Sequence, residues 1–199
     1  MTYPAVEGPY GLIPQNLIGG QVFAGSTRQI PVVSAYGTAI FFGDVVKLVA
    51  TGTVEKDTGT TTATPVGVFL GCSYTDPVFG KTFRQSLPAG TAATDIVAYV
   101  SDDPDTLYKV AVVSGTTVIG SVARTAVGNN TSLVQNAGNA ANGNSRVAVS
   151  ATTATTNTLP VRIIDVVPET SPAGNPSAFT EVIVKWNAGM HQYNNATGV

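Results

Sequence analysis

The chain has 199 residues and a formal net charge of −2, with 10 Lys and Arg, 12 Asp and Glu, one His and one Cys. Acid–base, nucleophilic and metal chemistry draws mainly on those residue types, so we expect a protein that is not an enzyme and holds no cofactor or metal. The sequence has no basic cluster and no apolar run of 18 residues, so neither a nucleic acid nor a membrane is an expected partner.

The first 25 residues combine three prolines and five glycines with many apolar side chains. Proline disfavours helices and central strands, which predicts an extended N-terminal arm over residues 1–25. The arm either lies on another protein surface or folds back on its own domain. In the first case the candidate contact residues are Tyr3, Tyr10, Leu12, Ile13, Leu17 and Ile18.

Residues 26–186 read as many short strands separated by turn residues, without a sustained helical period. Residues 29–33 contain a proline and fit an edge strand. Residues 43–49 and 52–56 are expected to pair across a short turn, and residues 65–74 form the most apolar strand.

A second pair of strands is expected at residues 93–100 and 107–113, around an aspartate-rich turn. Further strands are expected at 146–151, 159–167 and 179–186. The fold class is therefore all-β, an antiparallel β-barrel or β-sandwich with the extended N-terminal arm. Asn and Gly are concentrated in residues 128–144, which predicts a loop or protrusion, and residues 187–199 form a polar C-terminal tail that is loosely held or docked on a neighbour.

Side chains that alternate along these strands are the expected core. They are Val45, Leu48, Val66, Val68, Leu70, Val97, Val112, Ile163, Val182, Val184 and Trp186. The single cysteine, Cys72, lies in an apolar run and is expected to be a buried structural thiol. No targeting signal opens the sequence, so we expect the chain to be made and folded in a cytoplasm.

For two groups of residues, metal binding or catalysis is an alternative to a structural role. Asp102, Asp103 and Asp105 could bind Ca²⁺, but they lack the Gly and the distal Glu of an EF-hand loop, and a solvated turn explains them. His191 could serve a Ser-His-Asp triad only if the tail met a serine and an acid. We therefore expect no catalytic, cofactor-binding or metal-binding residues.

Two parts of the sequence resemble phage proteins. Residues 43–48 (GDVVKL) with 65–71 (PVGVFLG) resemble the small β-barrel segment of head decoration, or cement, proteins of tailed bacteriophages. Residues 159–169 (LPVRIIDVVPE) with 181–187 (EVIVKWN) resemble virion structural proteins of cyanophage-like phages.

This resemblance implies a non-catalytic protein that binds the outer surface of the major capsid shell, often as a homotrimer, and stabilises it. The implied location is the capsid surface of the virion, after synthesis in the host cytoplasm. Two alternatives remain, namely another virion structural protein of the tail, baseplate or head fibre, and a carbohydrate-binding β module. The latter would need an aromatic platform, whereas Trp186 sits in a core-like strand pattern.

Overall fold

A computed structural model describes residues 6–172 and 174–199. Strands make up 41% of the structure, and its described residues contain no α-helix, which confirms the all-β class. The strands are β1 (Ile13–Leu17), β2 (Arg28–Pro31), β3 (Val45–Leu48), β4 (Val54–Lys56), β5 (Gly67–Asp76), β6 (Gly80–Arg84), β7 (Val97–Ser101), β8 (Thr106–Val113), β9 (Val122–Ala123), β10 (Asn130–Val134), β11 (Ala148–Ala154), β12 (Val161–Val166), β13 (Ala178–Phe179) and β14 (Glu181–Trp186).

Five strands close into a barrel in the order β8-β11-β10-β12-β14 and back to β8. The β8–β11 pair is parallel and the other pairs are antiparallel. Strand β1 extends the barrel by pairing with the first half of β8. Closure leaves the central strands without free edges.

The second sheet has the order β2-β7-β5-β3-β4, and β6 pairs with the outer half of β5. Pro31 ends the edge strand β2, where a missing N–H breaks no central ladder. The predicted pairing of residues 43–49 with 52–56 is confirmed as the β3–β4 hairpin.

Strands β3 and β5 of the second sheet form a wall between two hydrophobic cores, and we call this the shared wall. Val45 and Val68 belong to the barrel core, whereas their neighbours Val46 and Phe69 belong to the core of the second sheet. Neighbouring side chains of a strand point to opposite faces, so one strand can supply both cores. The shared wall joins the barrel and the second sheet into one folded unit.

Most of the expected core is buried. Eight of the predicted side chains are buried, namely Val45, Val66, Val68, Val112, Ile163, Val182, Val184 and Trp186. Leu48, Leu70 and Val97 are half-buried. Leu48 packs at the margin of the second core and Leu70 at the margin of the barrel core. The alternation of apolar residues therefore predicts which side chains face inward better than it predicts how deeply they are buried.

The expected pairing of residues 93–100 with 107–113 is wrong. Strand β7 pairs with β2 and β5 in the second sheet, while β8 belongs to the barrel. The turn between them therefore connects the two sheets. Its shape is set locally, because the Asp105 N–H donates to the Asp103 carboxylate over 2.7 Å.

The extended N-terminal arm is not confirmed for residues 6–18, which fold back on their own domain. Leu12 is fully buried in the barrel core and the next five residues form β1. Pro14 is tolerated because β1 pairs along one edge with β8. Burial within the chain thus accounts for part of the apolar content that suggested an arm lying on a partner.

The Asn- and Gly-rich segment is only partly a loop. Residues 130–134, which fall inside the expected loop 128–144, form β10 between two barrel strands. The amide of Asn130 explains how an asparagine fits a buried strand position. Its Nδ2 donates to the Thr156 carbonyl and its Oδ1 accepts from the Arg162 Nε, both over 2.9 Å.

The tail, expected to be loosely held or docked on a neighbour, docks on its own domain. The Gln192 side chain bonds the Leu48 backbone twice, with its Oε1 2.6 Å from the N–H and its Nε2 3.0 Å from the carbonyl oxygen. The Gln192 N–H donates to the Pro65 carbonyl. The tail is thereby hydrogen-bonded to β3 and to the segment that precedes β5.

A buried carboxylate lies where the N-terminal segment, β3 and the end of the Asn-rich segment meet. Asp44 is fully buried, and its carboxylate accepts from Lys56 Nζ at 2.8 Å, Ser145 Oγ at 2.6 Å and the Phe41 N–H at 2.9 Å. Lys56 and Ser145 come from different segments. We call this group of residues the Asp44 junction.

Gly11 crosses Gly43 at the same place. Gly11 has a φ of +89°, and a Cβ built on it would lie 2.8 Å from the Ser145 Cβ and 2.9 Å from the Gly43 carbonyl oxygen. The Leu12 N–H donates to that carbonyl over 3.0 Å. A side chain at residue 11 would therefore force the chain segments apart.

We expect Gly11→Ala to lower the free energy of unfolding by about 2–3 kcal/mol, because it combines left-handed backbone strain with a steric clash. Gly19→Ala is the matched control, since a Cβ there meets nothing within 4 Å and the φ is ordinary. Urea denaturation of both variants measures the effect. Equal stability of the two variants would contradict the close crossing.

Candidate functional site

The only imidazole is a structural group. His191 is buried, and its Nδ1 accepts the Tyr193 N–H over 3.2 Å, which fixes the proton on Nε2. Burial lowers the pKa of His191, so the neutral form is favoured. The histidine thus holds the start of the last 3₁₀ turn, residues 192–194.

The three clustered aspartates have separate partners. Asp102 accepts hydrogen bonds from Arg28 and from the Tyr193 hydroxyl, the latter over 2.9 Å. Asp105 pairs with Lys185 at 2.6 Å, and Asp103 holds the turn. Among the residues that the structure describes, no group of three or more His, Cys, Asp or Glu could hold a metal ion.

Cys72 is a buried thiol, as expected. It belongs to the core of the second sheet, and burial raises its pKa to about 11. The thiolate is the nucleophilic form, so such a cysteine is unreactive near neutral pH.

Of the six expected contact residues, the five that the structure describes do not form one surface. Tyr3 lies outside the described residues, Leu12 is buried, and Ile13 and Leu17 are half-buried in β1. Tyr10 is half-buried and its hydroxyl donates to the Glu181 carboxylate. Burial, together with this hydrogen bond, raises the pKa of Tyr10. Of the five contact residues that the structure describes, only Ile18 is substantially exposed.

A different part of the chain exposes large apolar side chains. The turn between β5 and β6 carries Val78 and Phe79, which are 79% and 76% exposed, and β6 carries Phe83 at 69%. We call residues 76–83 the apolar hairpin. In the sequence, a Pro and a Gly flank two large hydrophobic residues, which is one indication of an exposed turn. An apolar stretch between strands is equally typical of core residues.

The turn of the apolar hairpin is fixed by a carboxylate. Asp76 Oδ1 accepts the N–H groups of Val78 and Phe79 over 2.8 and 3.1 Å, and these bonds lower the pKa of Asp76. Gly80 supplies a φ of +74°. The exposed side chains are therefore presented on an ordered turn.

An aromatic pair supports the base of the apolar hairpin. The rings of Phe83 and Tyr99 stack with centroids 6.5 Å apart and an interplanar angle of 20°. They border an open cavity of about 480 Å³ together with Leu70. Lys81 and Asp95 form an exposed ion pair nearby, and hydrogen bonds from Thr75, with Lys81, lower the pKa of Asp95 to about 2.

None of the described helical turns is long and apolar enough to cross a membrane.

Because its pKa is lower in the folded chain than the usual value of about 6.5, His191 binds a proton more readily in the unfolded chain. We therefore expect stability to fall as the pH drops from 7.5 to 5.5, by at most about 1.4 kcal/mol per pH unit from this group. His191→Asn, which keeps an acceptor for the Tyr193 N–H, should flatten that profile. Denaturant unfolding at each pH measures it, and an equal slope in the variant would contradict the assignment.

No family model, curated protein or solved structure matches this chain.

Proposed function

We propose that this chain is a bacteriophage capsid decoration protein, which binds the outer surface of the major capsid shell and stabilises it. The resemblance supports this proposal through residues 43–48 and 65–71. In the fold these segments are neighbours, because β3 and β5 pair with Val45 opposite Val68. The segments that carry the resemblance thus belong to the shared wall at the centre of the fold.

The observation that carries the proposal is the apolar hairpin. Val78, Phe79 and Phe83 are costly to leave in water, since burying apolar surface yields about 25 cal/mol per Å². Three such side chains on one hairpin are typical of a surface that is covered by a partner. On a capsid, many copies of a modest contact add up over the shell.

The apolar hairpin is rigidly connected to the core. Strand β5 runs over ten residues, from the shared wall to the turn, and its first half is buried. Binding through such an element loses less conformational entropy than binding through a flexible arm. The N-terminal segment is a weaker candidate anchor, because Leu12 is buried in the barrel core and β1 pairs with β8.

The other parts of the proposal follow from the resemblance. The chain would act without catalysis, cofactor or metal, would assemble as a homotrimer, and would reside on the capsid surface after synthesis in the host cytoplasm. The alternative of a tail, baseplate or head-fibre protein is distinguished by copy number. A decoration protein binds many equivalent sites on the shell, so its copy number per particle would be in proportion to the capsid subunits.

We expect Val78→Ser combined with Phe79→Ser to weaken binding to expanded shells of the major capsid protein from the same genome by at least about tenfold, because it removes the exposed apolar contact. Cosedimentation with purified shells measures the affinity. Stability should change by less than about 1 kcal/mol, since both side chains are exposed.

Val118→Ser is the matched control, because Val118 is an exposed valine outside the apolar hairpin, at 64%. Undiminished decoration by the double variant would overturn the role of the apolar hairpin. Failure of the unaltered protein to bind shells would overturn the proposed function. A deletion of residues 1–20 would not isolate the binding surface, because it would remove Leu12 from the barrel core and delete β1.

A further inference from the structure

A polar cavity of about 540 Å³ lies where residues 7–10, Thr117 and residues 139–146 meet. Its volume falls within the range of roughly 300–1,000 Å³ typical of small-molecule sites. The polar or charged side chains that line it are Glu7, Tyr10, Thr117, Asn139, Asn142, Asn144, Ser145 and Arg146.

The loop that forms one wall of the cavity is held by backbone hydrogen bonds. The Asn139 N–H donates to the Asn144 carbonyl over 2.8 Å, and the Gly143 N–H donates to the Asn139 carbonyl over 2.9 Å. The Ser145 N–H then donates to the Phe42 carbonyl, which joins the loop to the Asp44 junction. The wall is therefore preformed.

The three asparagine amides have a defined orientation. Asn139 Oδ1 accepts the Ala141 N–H over 2.9 Å, Asn142 Oδ1 accepts the Asn144 N–H over 3.0 Å, and Asn144 Oδ1 accepts from Gln85 Nε2. Each amide oxygen thus accepts a hydrogen bond, and none of the three Nδ2 groups donates to another group of the described chain. Each Nδ2 offers two N–H donors. The cavity wall is consequently rich in donors.

Two charged groups line the cavity, and their charges are opposite. Arg146 adds guanidinium donors and Glu7 adds a carboxylate acceptor, and both side chains are exposed. The tyrosine ring of Tyr10, which is held by its hydrogen bond to Glu181, adds an aromatic wall. The site therefore combines many N–H donors, one carboxylate, one aromatic ring and balanced charge.

This combination matches a sugar. A hydroxyl group has one donor and two acceptor lone pairs, and a ring oxygen only accepts, so a saccharide offers more acceptor sites than donors. Balanced charge in the cavity favours an uncharged ligand. We propose that this cavity binds a neutral saccharide, and this proposal stands independently of shell binding by the apolar hairpin.

The test uses a substitution that removes a donor and keeps the fold. In Asn142→Asp the carboxylate still accepts the Asn144 N–H but the Nδ2 donor is lost. Asn195→Asp is the matched control, because Asn195 Oδ1 accepts the Thr197 N–H over 3.0 Å in the same kind of turn, outside the cavity. Both substitutions add one negative charge.

The probe is an array of neutral and acidic glycans, to which the full chain is applied. We expect binding to at least one neutral glycan, an affinity at least about tenfold weaker for Asn142→Asp, and no change for Asn195→Asp. The bound glycan should shift the Asn142 side-chain NH₂ signal in an NMR titration. If Asn142→Asp lowers the melting temperature, Arg146→Gln at an exposed position replaces it and should weaken binding equally.

Three results would overturn the proposal. They are the absence of any bound neutral glycan, binding of acidic glycans alone, and equal loss of binding in the cavity variant and the control. The same protein preparation is also tested for binding to capsid shells. If it binds shells, a negative glycan result contradicts the saccharide site and leaves the proposed function intact.

Discussion

The buried carboxylate of Asp44 is the contact on which the arrangement of this fold depends. A buried charge needs a partner and hydrogen bonds, and Asp44 obtains them from Lys56, Ser145 and the Phe41 backbone. Those partners bring the start of β3, the end of β4 and the end of the Asn-rich segment to one point. The close crossing of Gly11 and Gly43 places the N-terminal segment there as well.

This junction positions both candidate surfaces. The polar cavity is built on the loop that ends at Ser145, next to the Asp44 carboxylate. The apolar hairpin lies at the far end of β5, whose first residues pair with β3 beside Asp44. One surface suits a polar ligand and the other an apolar partner, so a single small fold can present two different contacts.

The sequence allowed the strands to be predicted better than their partners. Alternation of apolar side chains identified β12 and β14, and the proline at residue 31 identified an edge strand. The turn between β7 and β8 resembled a hairpin because local spacing carries no information on which sheet a strand joins. Leu12 gave no local sign of burial, since the barrel core that covers it is formed by distant strands.

The candidate surfaces could not be predicted from the sequence, for a similar reason. Val78 and Phe79 have the composition of core residues, and only the sheet shows that nothing covers them. The polar cavity joins residues 7–10 to residues 139–146, which are separated by more than half of the chain. In contrast, the burial of Cys72 followed from its apolar neighbours alone.

The most direct test of the Asp44 junction uses Trp186, the only tryptophan, which is buried in the barrel core and serves as a remote reporter. Asp44→Asn leaves Lys56 as an unpaired buried charge, so the free energy of unfolding reported by Trp186 fluorescence in urea should fall by about 3–5 kcal/mol. Circular dichroism should report the same shifted transition. An unchanged Trp186 transition would contradict the claim that the arrangement of the fold depends on the Asp44 junction.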